Sequence, residues 1–287
     1  MTRATKRSRV RTLLADGTTR VRTDTLAGEE PMELRVDGHS LSVTMRTPGH
    51  DFDLAAGFLV SEGVLHHPQQ VTRIGYGPGV DAGGAATYNI VDVTLAPGVP
   101  RPAARAERRV YTSSSCGICG TNSIEALGRV SHFEGAAHAS AVFDLTVLLD
   151  LPARLRAEQA MFARTGGTHA AGLFSVSGDL LCLREDVGRH NAVDKVVGWA
   201  WRENRLPLRN TILQVSGRAS FELVQKAQMA GIPALAAVSA PSSLAVELAE
   251  EAGLTLIGFS RTDRLNVYSH AERIRSSTEQ RTQPTSA

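Results

Sequence analysis

Apolar and polar positions alternate early in the chain. Leu34 and Val36, then Leu41, Val43 and Met45, fall on either side of Asp37-Gly38, and this period of two around a strong turn signal predicts a β-hairpin. In TPGHDFDLAAGFLVSEGVL the period lengthens, placing Leu54, Phe58 and Leu59 on one face of a helix that Asp51 is positioned to cap. After the glycine-rich GPGVDAGGAA, YNIVDVTL returns to alternation and reads as a strand, and APGVPRPAARAERR reads as a junction.

Beyond the junction, VYTSSS predicts a polar strand running into a cysteine loop, followed by a helix that Asn122 and Glu125 can cap. LPARLRAEQAMFAR predicts a helix with Pro152 in its first turn and a stop at Gly166-Gly167. THAAGLFSVSGDLLCL reads as a hairpin turning at Ser177-Gly178-Asp179. HNAVDKVVGWAWREN reads as a helix with Val193, Val196, Val197 and Ala200 inward. The strand TILQV, the helix FELVQKAQMAG with Gly231 as its stop, the strand IPALAAV, the helix LAVELAEEAG and the strand LTLIGF then follow, with a last short strand at RLNVYS.

Apolar strands alternating with amphipathic helices predict an α/β fold with a mostly parallel sheet. Ligands of such sheets bind beyond the carboxyl ends of the strands. Here those ends are Ser216-Gly217-Arg218, Ser239 and the loop Ser260-Arg261-Thr262-Asp263-Arg264. Arginine's planar fork suits a phosphate, and Asp263 suits the N–H groups of a guanine edge. A disordered basic tail over 1–25, an N-terminal α/β domain over 26–108, a core over 109–272 and a disordered tail over 273–287 complete the expected organisation.

Charge and composition narrow the function. The 287 residues carry 31 basic against 29 acidic side chains, which gives no basis for general nucleic-acid or membrane binding. The first dozen residues are basic and lack the apolar run of a secretory signal, and no stretch has the roughly 20 apolar residues of a membrane span, so a cytoplasmic protein is expected. Three cysteines are no disulfide framework.

Two of those cysteines, Cys116 and Cys119, lie in SCGICG between glycines and ahead of a predicted helix N-terminus, which favours thiolate. The spacing alone leaves three chemistries open. A zinc knuckle lacks its second cysteine pair, since Cys182 sits in the apolar strand LLCL, though a mixed cysteine and histidine site is compatible. A redox dithiol has the spacing, but some 110 residues precede it. The third chemistry is sulfur transfer. Hydrolytic deamination is excluded because THAAG has alanine where the catalytic glutamate belongs. His169 and the cluster Asp186, Arg189, His190, Asn191 and Asp194 read equally as capping and salt bridging or as ligand-facing groups.

PGHDFDLAAGFLVSEG, YTSSSCGICG, TGGTHAAGLF, EDVGRHNAVDKVVG, SGRASFELVQKAQMAGIPALAAVSAPSSLAVELAEEAGLTLIGFSR and RLNVYS together resemble the formate dehydrogenase accessory sulfurtransferase family. The resemblance implies a cytoplasmic homodimer with a core similar to cytidine deaminase. It implies a sulfurtransferase that takes sulfur from a cysteine desulfurase and passes it to the bis-molybdopterin guanine dinucleotide form of the molybdenum cofactor, as formate dehydrogenase requires. Carried over to this chain, Cys116 bears the persulfide, with Cys119 a second cysteine of less defined role. Phe259, Ser260, Arg261, Thr262, Asp263 and Arg264 match the cofactor-binding stretch. No resident metal is expected. A cofactor chaperone without sulfur chemistry and a thiol-disulfide oxidoreductase are the alternatives.

Overall fold

The chain opens with an antiparallel hairpin, β1 (Thr5–Leu13) and β2 (Thr19–Ala27), where a basic and polar composition predicts a disordered tail. This is a computed structural model, and it describes residues 4–80, 84, 86–102, 131–133 and 141–276. Threonine and valine recur along both strands and suit a pleated ribbon. At the turn Gly17 takes φ 81° and the Asp16 carboxylate accepts from the Thr18 N–H and hydroxyl.

β3 (Glu30–Val36) and β4 (His39–Arg46) form the predicted hairpin, with Asp37 and Gly38 both at positive φ, 49° and 77°, as a two-residue primed turn demands. α1 (Asp51–Ser61) follows, but its N-cap is His50 at φ 56°, not Asp51. The Asp51 carboxylate instead takes a two-pronged contact from buried Arg46, Nε at 3.1 Å and Nη2 at 3.0 Å. A buried guanidinium needs a charged partner more than a helix end needs a cap. β5 (Val71–Tyr76) and β6 (Ile90–Leu95) complete a four-stranded sheet in the order β4-β3-β6-β5.

β7 (Phe143–Asp144) leads into α2 (Leu145–Glu158) and the short α3 (Ala160–Thr165), which ends on Gly166 at φ 66°. The helix starts two turns before the predicted position. Asp144 caps it by accepting from the Thr146 N–H at 2.7 Å, and Pro152 lies inside it. Leu148, Leu151 and Leu155 bury one face, and that packing holds the helix through the proline.

β8 (His169–Ser175), β9 (Leu180–Asp186), α4 (Arg189–Arg202), β10 (Thr211–Val215), α5 (Phe221–Met229), β11 (Ala234–Ala237), α6 (Ser243–Glu251), β12 (Thr255–Gly258) and β13 (Asn266–Ser269) build the second sheet. Its order is β13-β12-β11-β10-β8-β9. The sheet is mixed rather than mostly parallel. Only β10-β11 and β11-β12 run parallel, because the β8-β9 hairpin joins β10 antiparallel and a tight charged loop folds β13 back on β12. Near the C-terminus, Ala271–Arg273 form a helical turn and β14 (Ile274–Arg275) pairs with β7, where a disordered tail is predicted from residue 273. Ile274 packs on the second core cluster and Arg273 donates to the Gly253 carbonyl, which together anchor it.

α1 and α4 join the two sheets. Val193, Val196, Val197 and Ala200 are fully buried, as their spacing predicts, and one apolar cluster runs from Leu34 and Val93 of the first sheet through both helices to Leu213 and Leu235 of the second. The helices cross backbone to backbone at Gly57 and Gly198. Among the described residues no helix is long and apolar enough to cross a membrane.

Candidate functional site

The carboxyl ends of β10, β11 and β12 deliver Ser216, Val238 and Arg261 to one cleft of about 600 Å³. His169, at the start of β8, reaches the same cleft because β8 runs antiparallel to β10. The opposite wall comes from α2 and α3: Leu155, Arg156, Gln159 and Phe162. Gly166, Gly167 and Thr168 close the side between them.

The loop after β12 is held by its backbone. The Phe259 N–H donates to the Ser239 carbonyl at 3.2 Å, Ser260 to Ala237 at 3.0 Å and Arg261 to Arg264 at 2.9 Å. Ser260 is fully buried, and its hydroxyl donates to Gln214 Oε1 at 3.3 Å, so this side chain fixes the loop from beneath. Phe259 stands exposed at φ 48°, a conformation rare for a bulky residue. Thr262, Asp263 and Arg264 are exposed, with Arg264 Nη1 3.7 Å from Asp263 Oδ2. Of the six residues singled out in this loop, Arg261 is the one that lines the cleft.

His169 is half-buried beside Gly217 and Arg189. A side chain at Gly217 would come within 3.5 Å of the imidazole and 3.9 Å of the Arg189 chain. Burial, then the Arg189 guanidinium and His190, push the imidazole below its usual 6.5, so it faces the cleft neutral at pH 7. A neutral imidazole both donates and accepts.

The EDVGRHNAVDK cluster divides. Asp186 is a structural anchor: its carboxylate takes Lys195 Nζ at 2.6 Å, the Thr47 N–H at 3.0 Å, the Gly188 N–H at 2.8 Å and Asn191 Nδ2 at 3.0 Å. Thr47 returns two further contacts, its carbonyl accepting from Lys195 Nζ at 2.8 Å and its hydroxyl from the Val187 N–H at 3.1 Å. Asp194 is buried against Lys226 Nζ at 2.8 Å and the Ser61 hydroxyl at 2.8 Å. His190 lies 3.3 Å from the Ser220 hydroxyl and 3.8 Å from Glu222, whose carboxyl that imidazole holds down at about 2. Of the cluster, Arg189 shares with His169 the space beside Gly217.

Cys116 and Cys119 lie outside the described residues, as do the strand and the capped helix predicted around them. Cys182 is buried, and burial pushes its thiol up to about 12, which makes it inert. Sequence reasoning missed the α2–α3 wall. Gln159 is almost fully buried in the gap between those helices, and nothing in LRAEQAMF distinguishes it from a solvated polar residue.

A sulfur carrier protein FdhD of Mycolicibacterium paratuberculosis is 56% identical over 270 residues, covering 94% of this chain and 98% of its own. Proteins of the same name from Mycobacterium tuberculosis and Streptomyces coelicolor are each 55% identical over 274 residues, covering 94% and 96% of this chain and 99% and 97% of their own. In structure the chain is similar to a candidate formate dehydrogenase accessory protein from Desulfotalea psychrophila, with a TM-score of 0.74 at 24% identity over 95% of this chain and all of that one, a likeness of fold. Residues 27–275 match the model of the FdhD/NarQ family, and with relatives this similar along their full lengths, the chain belongs to that family.

Proposed function

We propose that the chain is a sulfur carrier that loads sulfur on Cys116 and delivers it to a guanine-dinucleotide form of the molybdenum cofactor for formate dehydrogenase. The observation that carries this reading is the identity of 55–56%, nearly end to end, with proteins named as sulfur carriers. The cleft at the strand ends supports it, since Arg261 and His169 present a cation and a neutral hydrogen-bonding ring to whatever enters.

In the first step the Cys116 thiolate attacks the terminal sulfur of a cysteine desulfurase persulfide. A new S–S bond forms at Cys116, the donor's S–S bond breaks, and the donor cysteine leaves as thiolate. In the second step the terminal sulfur passes to the metal of the bound substrate as a sulfido ligand. The metal supplies two electrons, and Cys116 returns as thiolate. Phe259–Arg264 and the cleft hold the substrate's nucleotide arms. The cytoplasm as location, a homodimeric assembly and a core like that of cytidine deaminase belong to the same reading. For the last, support comes from a hairpin, β9-β8, flanking the βαβαβ series β10 to β12.

Incubation with a cysteine desulfurase and cysteine, followed by peptide mass spectrometry, tests this. An added sulfur mapping to Cys116 is expected, and a Cys116→Ala protein that still activates formate dehydrogenase would overturn it.

A further inference from the structure

Charge matching separates the arginines near the cleft. Arg154 on α2 pairs with Asp150 at 2.6 Å. Arg156, two residues on, and Arg261 across the cleft have no carboxylate partner among the described residues, and both line the cleft. Arg156 is held in place without one, since its guanidinium lies 4.6 Å from the centre of the Phe162 ring. Gln159, 4% exposed and at the junction of α2 and α3, lines the same cleft. Among the described residues its side-chain amide has no hydrogen-bond partner, and it is not one of the sealed, unsatisfied polar groups of the interior, so its remaining exposure is to the cleft it lines. Arg156 and Arg261, both exposed and without a carboxylate partner among the described residues, thus share one cleft with the Gln159 amide, a set of donors that suits two or more anionic oxygens and a polar edge.

We propose that the α2–α3 wall is the second half of the ligand site, with Arg156 opposing Arg261 across a diphosphate and the Gln159 amide hydrogen-bonding the organic body attached to it. The inference rests on the reading of this cleft as the nucleotide-arm site and adds the residues that grip from the far side. Gln159 is a specificity group here, because an amide offers a donor and an acceptor side by side.

Calorimetric titration of the full chain with guanosine diphosphate, in Arg156→Met and Gln159→Met variants, tests it. Methionine at 156 keeps apolar contact with Phe162 and removes only the charge. Each substitution is expected to weaken binding roughly tenfold, the scale of one charge-assisted or buried hydrogen bond. Gln159→Met is also expected to leave the melting temperature unchanged, because the amide it removes has no hydrogen-bond partner among the described residues. Loss of stability in place of affinity would assign Gln159 a packing role and overturn the inference. Unchanged affinity in both variants, while Arg261→Met weakens binding, would overturn the inference alone. No binding by the wild type would overturn the reading of the cleft as well.

Discussion

Gly57 and Gly198 bring α1 and α4 into direct backbone contact. A methyl group on Gly57 would sit 1.8 Å from the Asp194 carbonyl oxygen, and one on Gly198 would sit 1.8 Å from that of Asp53. Neither neighbour is a side chain that can swing away. Gly57→Ala and Gly198→Ala are each expected to cost about 1–3 kcal/mol or more by overpacking, read as a lower denaturant midpoint at unchanged slope. A neutral result at both positions would mean that the helices part easily.

Lys195→Met strands the Asp186 carboxylate in the interior, where both partners are at most 1% exposed. Breaking a buried pair from one side costs about 3–5 kcal/mol, so the variant is expected to be expressed poorly or to melt far below the wild type.

Acid weakens the fold through Asp53 and Glu222. Burial opposes ionisation of Asp53, but hydrogen bonds from His50, Arg184 and Arg202 outweigh it and bring its carboxyl to about 2. The His190 imidazole does the same for Glu222. Both carboxyls are lowered by folding, so their stabilisation is complete above the ordinary values of 3.8 and 4.5 and is lost as the pH falls through them toward 2. Urea midpoints measured from pH 6 down to pH 2 are expected to drop across that window, on the order of 2 kcal/mol less for Asp53→Asn.

Nucleotide affinity is expected to rise as the pH falls through the range in which His169, held below the ordinary imidazole value of 6.5, takes up a proton. His169 is neutral in the folded protein, and an anion in the cleft favours its protonated form. Guanosine diphosphate titrations at pH 5.5 and 7.5 are expected to show a smaller gain in affinity on acidification in His169→Gln than in the wild type, the part common to both reporting the nucleotide's own terminal phosphate.

Cys182 serves as an internal control. Alkylation of the native protein at pH 8 is expected to spare it, with labelling only after unfolding, because its thiol stays protonated in the core.

Periodicity made much of this legible. The period of 3.6 in HNAVDKVVGWA places Val193, Val196, Val197 and Ala200 inward, where they are buried, and the strand-end rule points to Ser216 and Arg261, which both line the cleft. The first hairpin was obscured because net charge was weighted over the alternation that Thr, Val and Asp16-Gly17 supply. Strand direction is absent from a sequence of short apolar runs, so the expected mostly parallel sheet missed the antiparallel pairing of β8, β9 and β13. Asp51 looked like a cap because a local signal was visible and its distant claimant, Arg46, was not. That Gln159 and Arg156 line the same cleft as Arg261 is a property of the folded chain, which local sequence does not carry.

Thr47 grips α4 and the end of β9 with its N–H, its carbonyl and its hydroxyl at once, while sitting at the exit of a strand in the other sheet. If the first half melts, the buried Asp186 and Lys195 lose the partners that Thr47 supplies. Scanning calorimetry of the whole protein therefore yields one endotherm, with calorimetric and van't Hoff enthalpies in agreement.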